Sequence, residues 1–232
     1  MQRLRAHQIL FFLYHRVSLL PVSCLICEKR KANRFCPAKG EKICAVCCGT
    51  ERENTIDCPV DCSFLIAAHR YENEHQREIS ADTPLLDVKV PQELLHTQQQ
   101  LMTALAFTIA KFYSTHPEVH DPDILAALQA LAETQKTLTS GIYYETQPAG
   151  HISRELYAAV TAFLADVKQK VQQAGQPPLK DADIFHLLVF LYRMGLVRTN
   201  GRRRSRRFAE FLHSQFPQSQ ETKREESRII FP

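Results

Sequence analysis

The chain of 232 residues has no tryptophan, three methionines and seven glycines. So few glycines argue against a doubly wound nucleotide-binding fold, and neither G-x-G-x-x-G nor G-x-x-x-x-G-K-[ST] occurs. H-E-x-x-H and G-x-S-x-G are missing as well, which removes two common hydrolase signatures. Long apolar runs are also lacking. The stretch Ile9 to Tyr14 is stopped by His15 and Arg16, too short to span a bilayer. The most telling gap follows Cys62: the next 170 residues contain no cysteine. All eight cysteines lie in the 39 residues from Cys24 to Cys62. A disulfide framework would more often serve a whole secreted mini-domain, so this crowding reads as a metal module.

Apolar residues make up 44% of the chain, enough for a core, so disorder of the whole chain is excluded. The length suits a small module plus one helical domain. The formal net charge of +4 is unevenly spread. Residues 1–52 hold 10 basic and 3 acidic side chains, residues 53–195 hold 10 and 18, and residues 196–232 hold 9 and 4. Two basic ends therefore flank an acidic middle. Such a pattern suits an anionic partner at one end, or ends that dock on the middle.

Residues 1–23 form a poorly ordered or amphipathic leader. Pro21-Val22-Ser23-Cys24 is a poor lipoprotein cleavage box, because Pro21 stands where a Leu is expected. A cytoplasmic location is expected. The eight-cysteine module is assigned to 24–62, an α-helical domain to 63–217 and a polar, frayed tail to 218–232.

Helical periodicity starts at Ser63, with Phe64, Leu65, Ala68 and Tyr71 on one stripe. Residues 80–90 read as a linker. Pro91 suits the first position of the next helix, which Pro117 stops. Asp121 is expected to cap a helix that ends at Gly141. Ser153 is expected to cap another, which ends at Gly175, with Ile152 stapling onto Tyr157. Asp181 is expected to cap the most apolar helix, Ile184 to Met194, ended by Gly195 and central to the core. A last helix covers about 205–215. The fold class is mainly α: a cross-brace-like zinc module packed on a bundle of about six helices.

The cysteines are spaced Cys24-x2-Cys27-x8-Cys36-x7-Cys44-x2-Cys47-Cys48-x9-Cys58-x3-Cys62. A C-x2-C turn brings two thiolates onto one tetrahedral ion. Eight thiols make two four-ligand sites, so Zn2+ is expected twice per chain. The preferred partition puts Cys24, Cys27, Cys44 and Cys47 on one ion, and Cys36, Cys48, Cys58 and Cys62 on the other. Adjacent Cys47 and Cys48 point apart in an extended chain and so suit different ions. Exchange of Cys44 with Cys36 or Cys48 is an open alternative. Two fully cysteine-ligated ions leave no open coordination position, so the metal is structural and no enzyme is expected. An iron–sulfur redox centre is a second alternative, disfavoured by the lack of a C-x2-C-x2-C run. Lys29, Arg30, Lys31, Arg34, Lys39, Lys42 and Arg52 surround the thiols, and either offset their charge or contact nucleic acid.

The run from Cys44 through Cys47-Cys48-Gly49 to Arg52, followed by Asp57-Cys58-Pro59-Val60-Asp61-Cys62, resembles an uncharacterised family of soil-bacterial proteins. The stretch from Asn200-Gly201-Arg202 to Phe216-Pro217 is also similar. That resemblance implies a Cys-rich N-terminus, a helical remainder and a bacterial origin. It implies no activity and no functional residues.

Arg198, Arg202, Arg203, Arg204, Arg206 and Arg207 place six positive charges in ten residues. They resemble the recognition-helix end and wing of a winged-helix domain, and so make nucleic-acid binding the alternative function. The bland reading is a basic turn docked on the acidic middle. His116, His120, Asp121 and Asp123 offer a weak metal-site pattern that Pro117 interrupts. The leading expectation is a non-enzymatic zinc-binding adaptor with a protein partner. No small-molecule substrate is identified.

Overall fold

A computed structural model describes residues 23–75, 77–141 and 144–217. The expectations for the leader before Ser23 and for the tail from 218 lie outside these residues. The chain divides into two compact units, the first ending at Ala68 and the second beginning at His69.

The first unit holds β1 (Arg34–Cys36), β2 (Glu41–Ile43) and α1 (Ala45–Glu51), and α2 (Ser63–Glu74) begins in it. The strands pair antiparallel, with Arg34 opposite Ile43, Phe35 opposite Lys42 and Cys36 opposite Glu41. Gly40 closes the hairpin at φ +68°, the left-handed region in which glycine carries no Cβ penalty. Its N–H reaches the Cys36 carbonyl at 2.9 Å. The core here is Cys24, Cys36, Cys44, Cys47 and Cys48 around Ile43 and Ile56. Two isoleucines make too small a core to hold the unit alone, and metal ligation is the usual remedy at this size.

The second unit contains α3 (Gln92–Thr97), α4 (Gln99–Thr115), α5 (Asp121–Thr139), α6 (His151–Gln173), α7 (Asp181–Arg198) and α8 (Arg207–Ser214). Helix α5 packs along α7 and against α6, while α4 packs against α8 and α6. As expected, α7 is the central helix: Ile184, Leu187, Leu188, Val189 and Leu191 are all fully buried. Each such side chain contributes about 2 kcal/mol of transfer free energy. Ala127, Ala130 and Ala132 are buried on α5 beside Ile124, Leu128 and Leu131, and their small size suits close helix approach.

Eight helices stand among the described residues rather than six. One extra is α1 within the cysteine unit. The other arises at Gln98, whose φ of −106° and ψ of 26° separate α3 from α4. Four N-termini differ from expectation. Pro91 is the N-cap of α3 rather than its first residue. His120 caps α5, in a reciprocal box with Asp123, which releases Asp121 for another task. Gly150 caps α6, leaving Ser153 buried in the first turn with its Oγ 3.4 Å from Asp123 Oδ1. Lys180 caps α7, and Asp181 pairs with Lys168 at 2.7 Å.

Gly195 does not end α7, which runs on to Arg198. A Cβ there would meet Leu125 Cδ2 at 2.7 Å and Phe208 Cε1 at 2.8 Å, so its glycine is a packing requirement. Residues 80–90 are not a free tether either. The Arg193 guanidinium donates to the carbonyls of Leu85 and Val88 and pins this segment to α7.

Candidate metal centre

The first cysteine pair sits in a tight turn. Glu28 donates its N–H to the Cys24 carbonyl at 2.7 Å and adopts φ 55°. Cys24 in turn donates to the Arg30 carbonyl at 2.8 Å. The second pair follows β2: Cys44 is the N-cap of α1, and its Sγ accepts the Cys47 N–H at 3.3 Å. The hairpin carries this pair back to the first. Leu25 N–H meets the Lys42 carbonyl, and Cys44 N–H donates to Cys24 Sγ at 3.2 Å.

The result is four sulfur atoms, from Cys24, Cys27, Cys44 and Cys47, all within 4.8 Å of one another. Cys27 Sγ and Cys44 Sγ are 4.0 Å apart. A tetrahedral ion with metal–sulfur bonds of about 2.3 Å needs sulfur separations of about 3.8 Å, so the set fits such an ion closely. None of the eight cysteines is disulfide-bonded. These four residues therefore form a site able to hold a metal ion, and they are the set expected from the spacing.

The thiols affect one another strongly. Burial works against ionisation of Cys24, but N–H donors of Cys27, Cys44 and Ile26 outweigh it and lower this thiol to about 6. Cys27 is lowered by the backbone N–H groups of Lys29 and Arg30. Cys47 is pushed up to about 12, by burial first and then by the neighbouring Cys44, Cys27 and Cys24 sulfurs. Arg30 is held more firmly protonated by Cys44 and Cys27. Its Nη1 lies 3.9 Å from Cys27 Sγ. Of the basic residues around the module, this one balances thiolate charge directly.

The other four cysteines do not converge in the same way: among the described residues no second set of three or more sulfurs lies within 4.8 Å. Cys36, Cys48, Cys58 and Cys62 all line one cavity of about 10 Å³, walled by Ile43, Ile56 and Phe64. Cys58 is pushed up to about 11 by burial, opposed by the Glu53 N–H and reinforced by Cys62, Glu53 and Cys36. Arg34 lies over the Phe64 ring, 4.7 Å from its centroid.

The arginine run is dispersed. Arg198 lies over Phe211 at 3.9 Å, Arg206 donates to the Pro117 carbonyl at 3.2 Å, and Arg207 pairs with Glu72 at 3.5 Å. Arg203 is exposed, while Arg202 and Arg204 are half-buried. Among the described residues no hairpin occurs at 199–206, so the wing of a winged-helix reading is missing. Glu72 belongs to the acidic middle, as a docked basic turn requires.

The weaker histidine pattern is not assembled either. His120 and Asp123 form the capping box, His116 stacks on Phe112 at 3.9 Å, and Asp121 reaches another helix. Sequence reasoning missed that last role. The fully buried Asp121 carboxylate accepts from Ser205 Oγ at 2.6 Å and from the N–H groups of Phe208 and Ala209, both at 3.1 Å. No local motif announces it, because the partners are 84 to 88 residues away.

No family model matches the chain, and no curated protein and no solved structure proved similar to it. Among the described residues no helix is long and apolar enough to cross a membrane.

Proposed function

We propose that the N-terminal unit is a structural two-zinc module and that the protein acts without catalysis, as an adaptor that presents this module to a protein partner. The observation that carries this reading is the all-sulfur donor set of Cys24, Cys27, Cys44 and Cys47. Soft thiolates select zinc over magnesium or calcium, and four of them leave no position for substrate or water. Cys36, Cys48, Cys58 and Cys62 are the ligands of the second ion, supported by their shared cavity, which is about the size of one small sphere. The two sets interleave along the chain, in the cross-brace manner.

A protein partner is supported by the distribution of exposed apolar side chains. Among the described residues, six of the ten large ones lie in the first unit: Leu25, Ile26, Phe35, Val46, Val60 and Ile66. Exposed apolar groups of this size on a small unit suit a contact surface. The arginine run, drawn into intrachain contacts, supports nucleic-acid binding less well. A cytoplasmic setting suits eight cysteines kept as thiols for metal.

Elemental analysis of the natively purified protein tests the module. About two zinc ions per chain and no visible colour are expected. Cys47→Ala and Cys58→Ala should each remove one. A brown chromophore would assign iron–sulfur clusters instead. One ion per chain, unaffected by Cys58→Ala, would remove the second site. Retention on DNA or RNA at low salt, falling steeply as salt is raised, would reverse the preference for a protein partner.

A further inference from the structure

The second unit contains a cavity of about 470 Å³ lined by Glu72, Asn73, His75 and Arg77, by the end of α7 and the turn after it, and by Arg207. We propose that this cavity binds a small organic molecule carrying two or more phosphoryl groups. Its volume lies in the range of small-molecule sites, roughly 300 to 1,000 Å³. Four arginines line it, Arg77, Arg198, Arg202 and Arg207, against the single carboxylate of Glu72. That lining leaves a positive excess matched to a diphosphate rather than to a neutral ligand. Guanidinium forks recognise phosphoryl oxygens in bidentate fashion.

The arginines are also positioned. Arg207 is held by Glu72 and Asn73, and Arg198 by the face of Phe211. Arg77 lies against Gly201, where an added Cβ would stand 2.7 Å from its Nη1. Gly201 has φ +75°, a backbone conformation that favours glycine. The turn is braced by Thr199 Oγ1 accepting from Gly201 N–H and Asn200 Oδ1 accepting from Arg202 N–H. Part of the arginine run therefore faces a concave site and does not form an open stripe. This geometry favours a compact anion over a nucleic-acid strand.

Calorimetric titration of the natively purified 232-residue protein with inorganic pyrophosphate, and separately with ADP, tests the assignment at low ionic strength. Saturable binding of one molecule per chain is expected, together with a rise in the melting temperature of the wild type. Arg77→Gln and Arg202→Gln should each weaken binding about tenfold, the loss of one charge-assisted contact. Arg203→Gln is the control, because Arg203 does not line the cavity and should bind as the wild type does. The proposal is overturned by no saturable binding at millimolar pyrophosphate and ADP. It is overturned equally if all three variants weaken alike, or if folded Arg77→Gln and Arg202→Gln proteins bind unchanged. Binding of a short single-stranded RNA that pyrophosphate fails to displace would assign the arginines to nucleic acid instead.

Discussion

Replacing Asp121 by Ala is the most searching test of how the second unit is held together. The first N–H groups of any helix have no acceptor within it. In α8 the N-cap is Arg206, whose own side chain makes no capping hydrogen bond. The carboxylate of Asp121, from the start of α5, takes over that duty by accepting from Phe208 and Ala209, and it binds Ser205 Oγ as well. Asp121, Ser205, Phe208 and Ala209 are all fully buried, so water does not replace the lost acceptor freely. Truncation strands three donors at about 1–3 kcal/mol each. Relaxation and one water entering the void recover part of this, leaving a loss of about 3–5 kcal/mol. At about 2–4 °C per kcal/mol, the melting temperature falls by roughly 6–20 °C. Urea unfolding followed by tyrosine fluorescence reads this directly. The chain has no tryptophan, and every tyrosine except Tyr14 lies beyond His69. Ser205→Ala should cost only about 1 kcal/mol, because the carboxylate keeps its two backbone donors. A loss under about 1 kcal/mol for Asp121→Ala, or equal losses for the two variants, would refute the capping argument.

Gly195→Ala should destabilise by about 1–2 kcal/mol in the same assay. The overlap with Leu125 and the immobile Phe208 exceeds the gain in helix propensity of about 1 kcal/mol. Arg193→Ala should release residues 85–88 while leaving the helices formed. Faster amide exchange and new protease cuts between 80 and 90 would show it, and unchanged exchange would contradict the clamp. Burial first, and then Glu133, raise the Tyr192 hydroxyl above its ordinary value of 10.0. The unfolded chain then ionises at lower pH than the folded one. This contribution to stability is complete below pH 10 and is lost as pH rises through the folded value. Tyr192→Phe should therefore show a shallower alkaline decline in unfolding free energy. If the proposed metal holds the first unit together, a chelator should expose Ile43 and Ile56 to solvent, and dye binding should follow metal loss in step.

What the sequence discloses depends on how far apart the interacting residues stand. The cluster of Cys24, Cys27, Cys44 and Cys47 is legible because two C-x2-C turns announce local geometry, and one hairpin suffices to join them. The central position of α7 is legible because Ile184 through Leu191 is apolar nearly all round, and such a helix has nowhere to go but inside. Caps are legible only where the partner is local. Asp121 has the residue type of an N-cap and precedes a proline, yet the neighbouring His120–Asp123 box satisfies α5 and frees the carboxylate for α8. Gly195 follows the same logic. Its residue type suggests a helix end, but a side chain from a later helix, Phe208, needs the space. The arginine run shows the point at the level of function. Six charges in ten residues read as one basic surface, but the fold divides them. Arg206 reaches a carbonyl, Arg198 an aromatic face and Arg207 an acid–amide pair, while Arg77, distant in sequence, joins three of the six around one cavity. A charge cluster in sequence is therefore not yet a surface: each guanidinium takes the direction that its nearest acceptor, ring or cavity wall imposes.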